Sequence, residues 1–320
     1  MPAAIPMSTI LVTGASGFVG RHTLPRLLDA GHRVVAFVRS EAAAVVTLDG
    51  VAAQVRERVT TRIGDVTRIE TVRAAADGAD AILHLVAIPR DDTRGAELRL
   101  VNTEGTRNVL VVARDAGIRR FIHQGALGIS DDPAFHYASS KARAERLVAD
   151  SGLAWTIVKP SLIWGPGDGF FNLIAELVRV SPVVLPVPAG ARSRFQPISV
   201  RDVARCLAAC FRDDRTVGSV VELGGPRQMT YSEIVREVMA AMGSRRLLLP
   251  VPVPLIRLVA GAAELLRLPF PIATDQLAQM ALDNITALDA VSRTFGFQPA
   301  DLSGQLGYLR QRPREQERAA

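Results

Sequence analysis

The sequence predicts an α/β protein, a doubly wound parallel sheet with a smaller, mostly helical C-terminal domain. Two observations predict it. In the first half, short β-branched runs alternate with stretches of helical periodicity, the pattern of a parallel sheet covered by helices. After Ser161 that alternation stops, and Pro- and Gly-rich crossings take over, LIWGPGDGFF at 162–171 and PVVLPVPAGARSRFQP at 182–197.

Taken in order, strands are expected at Thr9–Thr13, Arg33–Val38, Val59–Ile63, Ala81–Val86, Arg119–Gln124 and Ala154–Lys159. Helices are expected over Phe18–Ala30, Ile69–Ala76, Glu97–Ala116 and Phe135–Ser151. A further buried run, Val217–Leu223, returns the chain to the sheet. The sheet domain is therefore expected at 8–165, with its return near 197–224. The C-terminal substrate domain is expected at 166–310 and a frayed polar tail at 311–320.

Composition narrows the class. The 320 residues carry a net charge of +6, with 48% hydrophobic residues. The positive residues are scattered and not interleaved with aromatics, which argues for a solvated arginine-rich surface over nucleic-acid binding. No apolar run reaches membrane-spanning length. The start, MPAAIPMSTI, lacks the basic and apolar regions of a secretory leader, so a cytoplasmic protein is expected. Cys206 and Cys210 lack the partners a metal or redox pair needs, so core thiols and no metal are expected.

The first strand leads into TGASGFVGRH, with Gly14, Gly17 and Gly20 at the start of a helix. Such glycines allow a tight turn, close approach of backbone to a pyrophosphate and close helix packing. The helix N-terminus then presents free N–H groups to the phosphates of a dinucleotide. The second strand ends in Arg39 and Ser40, where an NAD site usually carries a carboxylate. With Arg21 they favour the 2′-phosphate of NADP(H), NAD(H) being the alternative. Asp65, after the third strand, either accepts from the adenine amino group or caps the next helix. Tyr137 and Lys141, four apart, share a helical face.

TGASGFVG, GDV at 64–66, NTEGTRNVL at 102–110, Tyr137-x-x-x-Lys141 and KPSLIWGPGD at 159–168 together resemble the extended short-chain dehydrogenase/reductase family. GDGFFNLIAEL, RFQPISVRDVA and PFPIATDQLAQMALDN are similar to its atypical branch, which includes the NADPH-binding accessory subunit of respiratory complex I and bacterial NAD(P)-binding relatives. The resemblance implies a Rossmann-like domain holding a nicotinamide dinucleotide. Its cofactor contacts would come from Gly14, Ser16, Gly17, Phe18, Val19, Gly20, Arg39 and Ser40. Asp65, Val66, Val86, Ala87, Asn102, Tyr137, Lys141 and Pro160 would complete the set. It implies Tyr137 as acid/base and Lys141 as the group that binds the ribose and lowers the phenol pKa. Only two of the 38 basic residues are lysine, Lys141 and Lys159, and one of them stands at the motif position.

The strand end that usually presents a serine in this branch reads Gly125-Ala126-Leu127-Gly128. Losing one such donor typically costs about 10²–10³ in rate. Gln124, Ser130 or water would have to donate instead, while His123 and His136 read as packing or surface. Phe170, Phe171 and Phe195 are expected to make the substrate pocket apolar, and Asp202 to cap or anchor a helix. Three readings follow: an NADP(H)-dependent oxidoreductase on a hydrophobic carbonyl or quinone-like substrate with weakened catalysis; a non-catalytic NADPH-binding structural or redox-sensing protein; and a sugar-nucleotide epimerase or dehydratase, with Arg192 and Arg194 holding the anion. The apolar stretch 247–272, broken by Arg257, Glu264 and Arg267, reads as a packed helix or as a face for a membrane surface or protein partner.

Overall fold

The computed structural model describes residues 7–89, 93, 95–189, 193–256, 258 and 282–312. Arg90, Arg192, residues 257 and 259–272 of the apolar stretch and the tail beyond 312 lie outside the described residues. The first elements are β1 (Thr9–Thr13), α1 (Phe18–Asp29), β2 (Arg33–Val38), α2 (Glu41–Asp49), β3 (Val59–Ile63), α3 (Ile69–Ala76) and β4 (Ala81–His84). Next come α4 (Ala96–Leu98), α5 (Gly105–Asp115), β5 (Arg120–Gln124), α6 (His136–Ala149) and β6 (Ala154–Pro160). Then follow β7 (Ile163–Trp164), α7 (Phe170–Val180), β8 (Val184–Ala189), β9 (Arg194–Phe195), β10 (Ile198–Ser199) and α8 (Val200–Ala209). The chain continues through β11 (Ser219–Leu223), β12 (Met229–Thr230), α9 (Tyr231–Ala241) and β13 (Leu247–Pro252).

Contacts divide the chain into two compact units. The first comprises Met1–Ala126, Ser130–Pro160 and Val200–Glu222; the second comprises Leu127–Ile129, Ser161–Ser199 and Leu223–Ala320. In the first unit seven strands form a parallel sheet ordered β11-β6-β5-β4-β1-β2-β3. The order reverses between β1 and β4, which pair in register from Ile10 opposite Ala81 to Thr13 opposite His84. Ligands of such sheets bind beyond the carboxyl ends of the strands at that reversal. Leu11, Ile82 and Phe121 are completely buried, as strands covered on both faces require. Arg120 ties three elements together: its guanidinium donates to the carbonyls of Ala154 (2.8 Å) and Cys210 (2.5 Å) and to Thr216 Oγ1 (3.0 Å).

One expected helix, Glu97–Ala116, is resolved into three parts. α4 runs into a wider π turn at Arg99–Glu104 before α5 begins. Wide turns of this kind occur often at functional sites, and this one carries Asn102. Cys206 and Cys210 are buried free thiols, and burial pushes both up, Cys210 to about 12.

The second unit has its own core, around Phe171, Ile174, Val178, Phe195, Ile234 and Leu309. Its described residues hold helices α7 and α9, a short helix at Ala290–Phe295 and three two-stranded sheets, β10–β7, β12–β9 and β13–β8. Asp168 organises one corner. Its carboxylate accepts from the main-chain N–H of Phe171 (2.6 Å) at the start of α7 and from the Tyr308 hydroxyl (2.5 Å). Burial raises that carboxyl to about 6.

Candidate active site

Two glycines at the β1–α1 junction, Gly14 in the loop and Gly20 in α1, are fixed by crowding. Gly14 has φ +74°, and a Cβ there would lie 3.2 Å from the backbone of Leu85 and Val86, just beyond β4. At Gly20 a Cβ would lie 2.3 Å from the Gly14 carbonyl oxygen and 2.6 Å from that of Ala15, so the first turn of α1 rests directly on the loop. α1 begins at Gly17 with no side-chain cap and no acidic residue in its first turn. Its N–H groups are left for an anion, which fits a dinucleotide pyrophosphate. Ser16 and Phe18 beside them are half-buried and Val19 is buried.

Arg39 and Ser40 are exposed at the end of β2. Ser40 Oγ accepts from Ala43 N (3.2 Å) and so caps α2, a helix beyond those expected from the periodicity. Its hydroxyl proton stays available, and Glu41 adds a carboxylate to the same turn. Asp65 is a turn cap: Oδ1 accepts from Thr67 N and Thr67 Oγ1, both at 2.8 Å. Val66 is buried beneath Gly105, where a Cβ would come within 2.8 Å of it.

Asn102 joins the segment after β4 to α6. Its Oδ1 accepts from Ile88 N (2.8 Å), while Nδ2 donates to the Ile88 carbonyl (3.1 Å) and to Ser140 Oγ (3.0 Å). Val86 and Ala87, half-buried and exposed, are therefore held between Gly14 and Asn102. Ser140 immediately precedes Lys141 on α6. Pro160 is buried at the end of β6.

Lys141 is 3% exposed, and Nζ donates to the Gln124 carbonyl oxygen (2.6 Å) at the end of β5. Burial pulls the ammonium down to about 8, against the opposing pull of Glu145. Burial, and after it the Glu145 carboxylate, push the half-buried Tyr137 phenol up to about 12. The resemblance implied a lowered phenol. The direction is reversed because the low-polarity surroundings and a carboxylate two turns along the same helix disfavour a phenolate.

Gly125 is explained by that carboxylate. A Cβ at 125 would lie 2.2 Å from Glu145 Oε1 and 3.1 Å from Lys159 Cγ. Glu145 Oε1 accepts from Ala126 N (3.2 Å), and Oε2 pairs with Lys159 Nζ (3.1 Å). The volume a serine side chain needs is thus occupied by an ion pair. Neither member was singled out as a site residue, although Glu145 follows Lys141 by one turn and Lys159 is the second of only two lysines. Of the substitute donors considered, Gln124 has a buried amide oxygen without a hydrogen-bond partner, and Ser130 Oγ accepts from Asp132 N (3.2 Å). His136 is exposed.

His84 and His123 are buried and stacked, centroids 5.4 Å apart. His84 lies between Thr13 Oγ1 (2.7 Å) and Thr106 Oγ1 (3.0 Å), whereas both ring nitrogens of His123 lack a partner. Burial, then the Lys141 charge, depress His84 to about 3 and hold His123 well below its ordinary value. A depressed histidine stabilises the fold above its unfolded pKa of about 6.5, and that stability is lost as pH falls. Stability to urea should accordingly fall steadily as pH drops from about 6 towards 4, on top of carboxylate effects. His123→Phe keeps the stack and should flatten this slope; an unchanged slope would show that these rings do not set it.

Three aromatic expectations are corrected. Phe171 and Phe195 are buried in the core of the second unit, and Phe170 packs against that core through Phe171 and Tyr231. They serve as packing residues of that core. Asp202 stands in the first turn of α8, as a helix-anchoring residue would. Arg194 is exposed on β9, and its main-chain N donates to Asp283 Oδ1 (2.8 Å). Asn284, of the quoted ALDN motif, donates from Nδ2 to the Leu127 carbonyl (2.6 Å), which fixes the segment after Ala126.

The family model described as NAD(P)H-binding matches residues 14–214. The chain is 34% identical over 259 residues to the ceramide reductase of Caulobacter vibrioides, covering 79% of this chain and 76% of that protein. It is 26% identical over 307 residues to the mitochondrial NADH-ubiquinone oxidoreductase 40 kDa subunit of Neurospora crassa, covering 92% and 76%. Among solved structures, the NADPH-dependent quinone oxidoreductase QOR2 of Escherichia coli, complexed with NADPH, superposes with a TM-score of 0.71 at 19% identity, covering 94% of this chain and 100% of that one. With its sheet order, its glycine loop and these matches, the chain belongs to the NAD(P)H-binding oxidoreductase family.

Proposed function

We propose that the protein is an NADP(H)-dependent oxidoreductase that reduces a hydrophobic carbonyl or quinone-like substrate, with Tyr137 as proton donor. The observation that carries this reading is the run of neighbours from Gly14, packed against the Leu85–Val86 backbone, to Ile88 of the same segment, and from Ile88 through the hydrogen bonds of Asn102 to Ser140, which adjoins Lys141 on α6. In this reading it would couple a dinucleotide held at the glycine loop to proton transfer at α6. The names of the ceramide reductase and quinone oxidoreductase relatives support a hydrophobic substrate.

Gly14, Gly20, the first turn of α1 and Arg39 would hold the dinucleotide, which when bound supplies the hydride. Tyr137 Oη gives its proton to the substrate oxygen as that oxygen becomes an alcohol. Lys141 holds positive charge against the phenolate that remains. The test is NADPH oxidation followed with a panel of long-chain ketones and quinones. Turnover on none of them, with NADPH still bound and raising the melting temperature, would favour a purely ligand-binding role.

The cofactor preference is tested separately. Arg39 offers a guanidinium to a 2′-phosphate, and a hydrogen bond to a charged group contributes about 1.5–3 kcal/mol. Calorimetric titration should give at least about tenfold tighter binding of NADPH than NADH. Arg39→Asp should remove or reverse that preference. Equal affinities in the unaltered protein would overturn the assignment of Arg39 and leave the glycine loop untouched.

A further inference from the structure

The second unit carries an apolar face with no partner among the described residues. β8 and β13 pair in parallel, with Val184 opposite Leu247 and Pro186 opposite Leu249. Leu185 and Val187 are buried in the core, and Leu248 packs against it. Side chains alternate along a strand, so Val184, Pro186, Leu247 and Leu249 share the outward face. A sheet packed on one side is expected to be polar on the other. All four outward residues are apolar. Leu247 is 70% exposed and Leu249 52%, and Val183, just before β8, is 60% exposed.

Positive charge lies at the start of β13. Arg245 and Arg246 precede Leu247 directly, and with Arg236 of α9 they line a cavity of about 620 Å³ that no carboxylate lines. Arg246 is fixed there by a hydrogen bond from Nε to the Ser181 carbonyl (2.6 Å). Glu233, one turn before Arg236, is engaged in the capping box of α9 with Thr230.

These features select among occupants. Pro186, Pro188, Pro250 and Pro252 remove N–H donors from both strands, which blocks addition of a further strand. A second copy would need an interface of about 20–30 residues a side, and among the described residues this patch offers only a few apolar side chains, next to Arg245 and Arg246. An anionic lipid surface needs neither. It accepts shallow apolar side chains below its headgroups and pairs guanidiniums with its phosphates. We infer that the β8–β13 face, with the arginine pocket beside it, docks the protein onto an anionic phospholipid bilayer. This inference rests on no assignment in the dinucleotide site.

The test is flotation of the full chain with phosphatidylcholine vesicles, with and without phosphatidylglycerol. The protein should float with the anionic vesicles, be released by salt, and bind the neutral ones weakly. Arg236→Glu and Arg245→Glu should each weaken binding at least about fivefold. Leu247→Ser combined with Leu249→Ser should abolish flotation while leaving NADPH binding and the melting temperature near those of the parent. The exposed arginine variants keep the test decisive should the leucine variant unfold. Failure of the parent to bind anionic vesicles, or binding indifferent to the charge reversals, overturns the proposal. A lipid-free dimer dissociated by the leucine variant would make the face a self-interface instead.

Discussion

Tyr137→Phe is expected to slow substrate reduction by about 10²–10⁴-fold, the usual contribution of a positioned general acid, while changing NADPH affinity only a few-fold. A phenol near 12 is protonated throughout the working range and so is loaded as a donor. The phenolate it becomes is costly in these surroundings, and in the proposed reaction Lys141 supplies the positive charge that offsets it. That cation is itself weakened, down to about 8, by burial. The charged form is needed for the reaction, so kcat/KM should fall as pH rises through about 8, well before an ordinary lysine would titrate. Steady-state NADPH oxidation across pH, in the parent and in Tyr137→Phe, tests both parts. A variant that retains most of its turnover would place the proton donor elsewhere, and a flat alkaline limb would show that Lys141 keeps its charge.

Much of this arrangement was legible in the sequence because it depends on local rules. Glycine positions at a strand–helix junction, the four-residue spacing of Tyr137 and Lys141, and the β-branched runs of the sheet each follow from short-range geometry. The strands matched to within two residues at each end. Less legible were features set by distant packing. Helix α2 carries little periodicity and so gives no helical signal of its own, although Ser40 at its start is an ordinary cap residue. The π turn that seats Asn102 needs the Ile88 backbone opposite it, 14 residues away. Phe171 and Phe195 read as pocket residues because their segments are loop-like, yet the second unit required them for its own core. The same blindness applied at Gly125. A missing hydroxyl could be read from the sequence, but the carboxylate filling its place, 20 residues away, could not.

That occupancy makes a prediction about stability. Glu145 and Lys159 have side chains only 11% and 18% exposed, and Glu145 also accepts from Ala126 N. Removing one member of such a pair strands the other, so Glu145→Ala should cost about 3 kcal/mol in urea unfolding. Gly125→Ser in the parent should cost about 1–3 kcal/mol, because its Cβ and hydroxyl meet Glu145 Oε1 and push the carboxylate off Lys159. The two substitutions act on one volume and should therefore not add. In the Glu145→Ala background the same serine enters vacated space, and the coupling between the sites should reach about 0.5–3 kcal/mol. By the same geometry Gly125→Ser alone should not raise turnover, since the hydroxyl arrives against an ion pair and unsettles the helix that carries Tyr137 and Lys141. If the serine costs the same with and without Glu145, or if it accelerates reduction in the parent, then the glycine is not there to seat the carboxylate and the incomplete catalytic set is a real loss.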